Sequence, residues 1–144
     1  IVYCFFYILT SYASRNSSKL KDRFPSLSVA VNHTYIAGIL LVLCAGVFYI
    51  VELNIIIIIL FIIFFILQNL RRPINIGFIS DNISHDVMAS GLSVESQLKT
   101  IFVAIMSPLM GFIADSINIG AAFIILSSLT LLIFPLIKVS RKVN

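Results

Sequence analysis

The sequence predicts an all-α, polytopic transmembrane helix bundle, and three observations carry that prediction. Sixty per cent of the 144 residues are apolar and only 11% are charged, where a soluble domain carries about a quarter charged residues. The mean hydropathy is +1.09. Apolar runs long enough to cross a bilayer as helices, roughly 18 residues or more, follow one another along the chain.

The elements are delimited by where those runs stop. The chain opens inside an apolar run, Ile1-Val2-Tyr3-Cys4-Phe5-Phe6, with no Met and no basic lead-in of the kind a secretory signal carries. Residues 1–12 therefore read as the partial first span of a longer protein. Residues 13–28 follow as a loop rich in Ser, Lys and Arg, with Pro25 stopping any helix before it. A second span is expected over 29–51, with Gly38 and Gly46 as candidates for close helix contact, and it closes at Glu52-Leu53-Asn54.

The third span, 55–79, starts with the Ile55–Ile59 run and passes through Arg71-Arg72-Pro73. A polar turn at 80–86 precedes the fourth span, 87–114, which is polar in its first half and apolar in its second. A tight turn at 115–120 leads to the last span, 121–137, and a basic tail covers 138–144.

With alternating spans, the segments 14–25, 71–86 and 138–144 share one side of the membrane. They hold Arg15, Lys19, Lys21, Arg23, Arg71, Arg72, Lys138, Arg141 and Lys142, while the opposite side has Glu52 and Asp115 and neither Lys nor Arg. Excess Lys and Arg marks the cytoplasmic face, so both loops, 13–28 and 80–86, and the C-terminal tail are expected inside the cell. The net charge of +4 thus points to the lipid bilayer as partner and not to nucleic acid, because the basic residues flank apolar spans. Asn16, Asn32 and Asn82 each begin an N-x-Ser/Thr pattern at or near this face and read as chance matches. Cys4 and Cys44 fall within spans, with neither a metal-ligand spacing nor a disulfide framework.

Nearly all the polarity capable of function lies on the third and fourth spans. Arg71 sits roughly 12 Å inside the cytoplasmic end expected for its helix, at 1.5 Å per residue, and Glu95 lies at a similar depth on the next. A charge at mid-membrane costs at least about 2.5–3.5 kcal/mol, so such groups pair or face a wet cavity. Arg71 or Arg72 with Glu95 makes one plausible pair across helices. Glu95 with Lys99, spaced i,i+4, makes another along one helix. Snorkelling of the long side chains to the headgroups is the third arrangement. On the fourth span, Ser90, Ser93, Gln97, Thr100, Ala104, Ser107 and Gly111 recur at spacings of three and four. Such a stripe serves close helix packing in lipid or, less commonly, lines a water-filled path. Pro73 and Pro108 interrupt their helices at membrane depth, where neighbours satisfy the freed carbonyls. Asp81, His85 and Asp86 form the cluster closest to an acid/base or metal site, but a solvated turn, with Asp86 capping the fourth span, is the reading expected for them. No phosphate loop, paired-Cys motif or nucleophile elbow occurs. No cofactor, no metal and no catalytic activity is therefore expected.

The stretch from Arg71 to Asp115 resembles the tenth and eleventh helices of major facilitator superfamily transporters, particularly bacterial ones. The resemblance lies in Arg71-Arg72-Pro73, Ile79-Ser80-Asp81-Asn82-Ile83, Ala89-Ser90-Gly91-Leu92-Ser93-Val94-Glu95-Ser96, Pro108-Leu109-Met110-Gly111-Phe112-Ile113-Ala114-Asp115 and Ile119-Gly120. Met88 departs from the pattern, standing where the family usually has Arg. The Gly-and-Asp signature usual in the loop between the eighth and ninth helices is not clear in 14–25, which agrees in position alone.

The resemblance implies that the chain is the C-terminal portion of a major-facilitator-type fold, a partial eighth helix through the twelfth, joined to missing N-terminal helices of the same protein. It further implies transport of an unknown small solute, by proton coupling as in many members, across a bacterial plasma membrane. The fragment alone is then expected to be inactive. The third segment would line the cavity beside the fourth, with the second and fifth at the periphery. Arg71, Arg72, Glu95, Gln97 and Lys99 become candidate gate or cavity residues. A non-transporting membrane scaffold or permease subunit is the principal alternative, and a membrane-embedded enzyme using Asp81, His85 and Asp86 the remote one.

Overall fold

The computed structural model describes residues 8–12, 15, 24 and 26–138, the side chains of Asn82, His85 and Ile137 excepted. The described residues form helices and connecting turns without a strand. Four long helices follow in order, α1 (Leu27–Ile50), α2 (Asn54–Asn82), α3 (Met88–Ser116) and α4 (Ile119–Ile137). Each is long and apolar enough to cross a membrane. Of residues 1–12, where a partial span was expected, 8–12 are helical, and 1–7 lie outside the described residues, as do most of the basic loop and the tail from 139.

Side-chain caps explain why two helices begin earlier than their apolar runs suggest. The Ser26 hydroxyl accepts the Val29 N–H at 3.4 Å, and Asn118 Oδ1 accepts the Ala121 N–H at 2.7 Å. Each satisfies one of the otherwise orphaned donors of a first turn, so α1 and α4 start at Leu27 and Ile119 rather than at 29 and 121. At the other end of α1, Leu53 N–H bonds Phe48 C=O at 3.1 Å and Glu52 N–H bonds Tyr49 C=O at 3.2 Å. This crossed pair is a Schellman closure. It holds Glu52 at φ 61, a left-handed conformation in which glycine is the usual occupant.

The polar stretch Ser80-Asp81-Asn82 was expected to be a turn but is the last turn of α2. No Gly or Pro interrupts the helix there, and the chain becomes extended only at Ile83 (φ −122, ψ 139). A short 3₁₀ turn, His85–Val87, then leads into α3. Asp86 lies within that turn, Val87 occupies the N-cap position, and no side chain caps the helix. The expected cap by Asp86 is therefore not made. Pro73 and Pro108 are both carried inside continuous helices.

The packing is uneven. α1 is gripped between α2 and α4, α3 leans on α4, and α2 and α3 meet over a short stretch only. The α1–α4 crossing is the tightest point. A Cβ on Gly46 would come within 2.9 Å of the Gly120 carbonyl oxygen, and a Cβ on Gly120 within 2.8 Å of the Gly46 carbonyl oxygen. Where apolar burial gives no drive because lipid is equally apolar, close backbone approach supplies the association. Gly38 is also buried, but a Cβ there would meet Phe64 and Leu67 of α2 at ordinary contact distances of 3.8 and 3.9 Å.

One expectation is corrected here. The small and polar stripe of α3 does not pack: Ser90, Ser93, Gln97, Thr100, Ala104, Ser107 and Gly111 are all exposed, and no residue of α3 is buried. A Cβ on Gly111 would meet nothing within 4 Å. The buried polar residues Ser28, Asn32, Thr34 and Ser127 fall on α1 and α4, which are mostly apolar as expected. The Thr34 and Ser127 hydroxyls fit because each serves its own helix. Thr34 Oγ1 donates to Ala30 C=O at 2.8 Å, and Ser127 Oγ donates to Phe123 C=O at 2.7 Å. Large apolar side chains cover the outer faces instead, among them Ile55, Leu98, Phe112 and Leu132.

Candidate functional site

α2 supplies the centre of the site because its apolar run, uninterrupted from Ile55 to Leu67, is followed within the same helix by a polar stretch. Helical periodicity then sets Gln68, Arg71, Arg72 and Asn75 on adjoining parts of one face, since residues three and four apart are neighbours. All four line an open cleft of about 550 Å³ whose opposite wall is α3, with Glu95 and Lys99. Arg71 lies eleven residues before the end of α2 at Asn82, roughly 17 Å at 1.5 Å per residue. That is deeper than the expected end at 79 would have placed it.

Arg71 is held by aromatic faces. Its guanidinium carbon stands 4.7 Å from the centroid of the Tyr35 ring on α1. Tyr35 in turn stacks on Phe134 of α4, with centroids 5.8 Å apart and planes at 20°. A cation over an aromatic face is attracted by the ring quadrupole, most strongly where water is excluded. The stack Arg71–Tyr35–Phe134 thereby joins α2, α1 and α4. Behind it, Tyr35, Val42, Phe64, Gln68, Arg71 and Thr130 contribute to a second cavity of about 140 Å³ between these three helices. Arg71 and Gln68 line both spaces.

Of the two pairings open to Glu95, the structure holds the one along its own helix. Glu95 forms its ion pair with Lys99, one turn along the same helix, and not with Arg71 or Arg72. An i,i+4 pair needs no tertiary approach, so it forms wherever α2 and α3 stand apart. Arg71 Nε and Asn75 Oδ1 are buried without a hydrogen-bond partner. Each such group in a native structure calls for an explanation.

Of the candidate gate or cavity residues, Arg71, Arg72, Glu95 and Lys99 are thus brought together, and Gln97 is not. It lies on the exposed side of α3, away from the cleft. Asp81, in the last turn of α2, and Asp86, in the 3₁₀ turn, are exposed, the His85 side chain lies outside the described residues, and no group of metal-ligating side chains assembles among the described residues. Three contributors were missed. Gln68 and Asn75 could have been found from their i, i+3 and i, i+4 relation to Arg71 and Arg72. Tyr35 carries no such signal, being one aromatic within an apolar run on a different helix.

No protein-family model, curated protein or solved structure matches the chain.

Proposed function

We propose that this chain is the C-terminal part of a secondary transporter of the major facilitator type, which moves a small solute by alternating access across a bacterial plasma membrane. The observation that supports this reading best is the cleft between α2 and α3. Polar and charged side chains line it, between two helices that are each long and apolar enough to cross a membrane and that hardly pack on one another. Intramembrane charges that face a cavity mark solute and ion paths, and alternating access needs helices free to move about a site near the midplane. The rigid contacts lie elsewhere, between α1 and its two neighbours.

In this reading α2 and α3 line the path, and α1 with α4 forms the support behind them. The Lys and Arg asymmetry sets the ends bearing Ser26, the 83–87 turn and Lys138 on the cytoplasmic side. On this reading residues 1–144 hold one part of the path and do not transport by themselves.

Uptake by liposomes containing the full-length protein, tested with a panel of radiolabelled metabolites, is the direct test. At least one solute is expected to accumulate with the full-length protein and none with residues 1–144 alone. Absence of uptake for every solute, with a tight protein partner recovered instead, establishes a scaffold or permease subunit and overturns the proposal.

A further inference from the structure

We infer that the cleft between α2 and α3 binds a small organic anion, with Arg71 and Arg72 as its counter-charges; the inference rests on the transporter reading and specifies its class of cargo. The cleft is lined by three cations, Arg71, Arg72 and Lys99, against one carboxylate, Glu95. That carboxylate is already engaged by Lys99. Among the described residues neither arginine has an ion-pair partner.

No other described carboxylate is placed to neutralise them. Glu52 and Asp115 stand at the opposite end of the bundle, next to the α1–α2 and α3–α4 turns. Asp81 is ten residues from Arg71 along α2, roughly 15 Å, and is exposed, as is Asp86. The Tyr35 ring offers Arg71 a quadrupole and not a charge, and it leaves the buried Nε without an acceptor. A guanidinium deep in a membrane protein is costly unless an anion or water meets it. The guanidinium fork matches a carboxylate or a phosphate with two parallel hydrogen bonds.

The size and remaining lining agree. A space of about 550 Å³ lies within the range of small-molecule sites, roughly 300–1,000 Å³. Gln68 and Asn75 add amide groups beside the arginines, able to meet hydroxyl or carbonyl groups of the same solute. The shared chemistry is a compact anionic group; a free carboxylate, a free phosphate and a phospholipid headgroup are its sources, and the test separates them.

The experiment is thermal unfolding of the purified full-length protein in detergent, with succinate, inorganic phosphate, phosphatidylglycerol or glucose added. Binding to the folded state raises the midpoint in a saturable way. Succinate or phosphate is expected to do so and glucose is not. Arg71→Gln and Arg72→Gln are each expected to raise the half-saturating concentration about tenfold or more, as when one charged hydrogen-bonding partner is lost. Arg71→Lys is expected to raise it less. Arg72 is exposed, so its variant keeps the test informative should Arg71→Gln fail to fold.

No shift with either free anion, an equal shift with glucose, or an arginine-dependent shift confined to phosphatidylglycerol overturns the inference. Uptake of a neutral solute without any anion effect overturns it too, while leaving the transporter reading in place. Anion binding without uptake of any solute does the reverse, upholding the site and removing the transporter.

Discussion

α1 and α3 carry the same kind of pattern and use it differently. Both are long apolar helices in which small side chains recur at helical spacing. On α1 those residues are buried, at Ala30, Thr34, Gly38, Ala45 and Gly46, and the helix is enclosed on two sides. On α3 the corresponding stripe is exposed along its whole length. The difference lies in what faces them. Gly46 meets another glycine, Gly120, so two backbones can touch, whereas a Cβ on Gly111 of α3 would meet nothing within 4 Å. A small-residue spacing records capacity for close approach, and a facing complement decides whether it is used.

The sharpest way to break this comparison is one methyl group placed on each helix. Gly46→Ala or Gly120→Ala drives a Cβ to under 3 Å from a backbone carbonyl; either is expected to destabilise by about 1–3 kcal/mol, the range for overpacking. Gly111→Ala meets nothing and gains helix propensity worth up to about 1 kcal/mol. Equilibrium unfolding of the purified protein in mixed detergent should therefore give opposite signs for the same chemical change. Equal effects at 46 and 111 would sink the distinction between the two helices.

A second experiment sharpens it at the Arg71 stack. Tyr35→Leu removes the ring between Arg71 and Phe134 and is expected to cost about 0.5–2 kcal/mol, the scale of a cation–π contact. Tyr35→Phe keeps the ring and should cost little in the same unfolding assay. A Phe variant as damaged as the Leu variant would assign the contribution to the hydroxyl.

The smallest effect is expected on α3. The Glu95–Lys99 pair spans a single turn and is largely solvent-facing at Lys99. A double-mutant cycle with Glu95→Gln and Lys99→Gln should return a coupling of about 0.2–0.5 kcal/mol. A coupling several times larger would mean that the pair also fixes α3 against α2.

The helices themselves were legible because apolar runs and turn residues alternate so plainly. Their ends were less so, since a cap such as Ser26 or Asn118 extends a helix beyond its apolar run, and Ser80-Asp81-Asn82 stays helical for want of a breaker. Depth and sign were enough to bring Arg71, Arg72, Glu95 and Lys99 to one region. They could not choose between the two partners open to Glu95, because that choice depends on the separation of α2 and α3. Gly46 was legible as a contact residue, but its counterpart Gly120 looked like part of a turn. Pairing of helices distant in sequence leaves no local signal, and the Tyr35–Phe134 stack was invisible for the same reason.

The crossing of Gly46 with Gly120 has a consequence for how the protein is made. The two residues stand 74 positions apart (120 − 46). At roughly 5–20 residues synthesised per second, Gly46 emerges about 4–15 s before its counterpart exists. Through that interval the flank of α1 that will receive α4 is open to lipid or to whichever helix arrives first. α2 and α3 both emerge within it, and neither offers a glycine that meets Gly46. Nascent chains halted before Gly120 therefore keep this flank open, and cross-linking from position 46 during synthesis should report lipid first and α4 last.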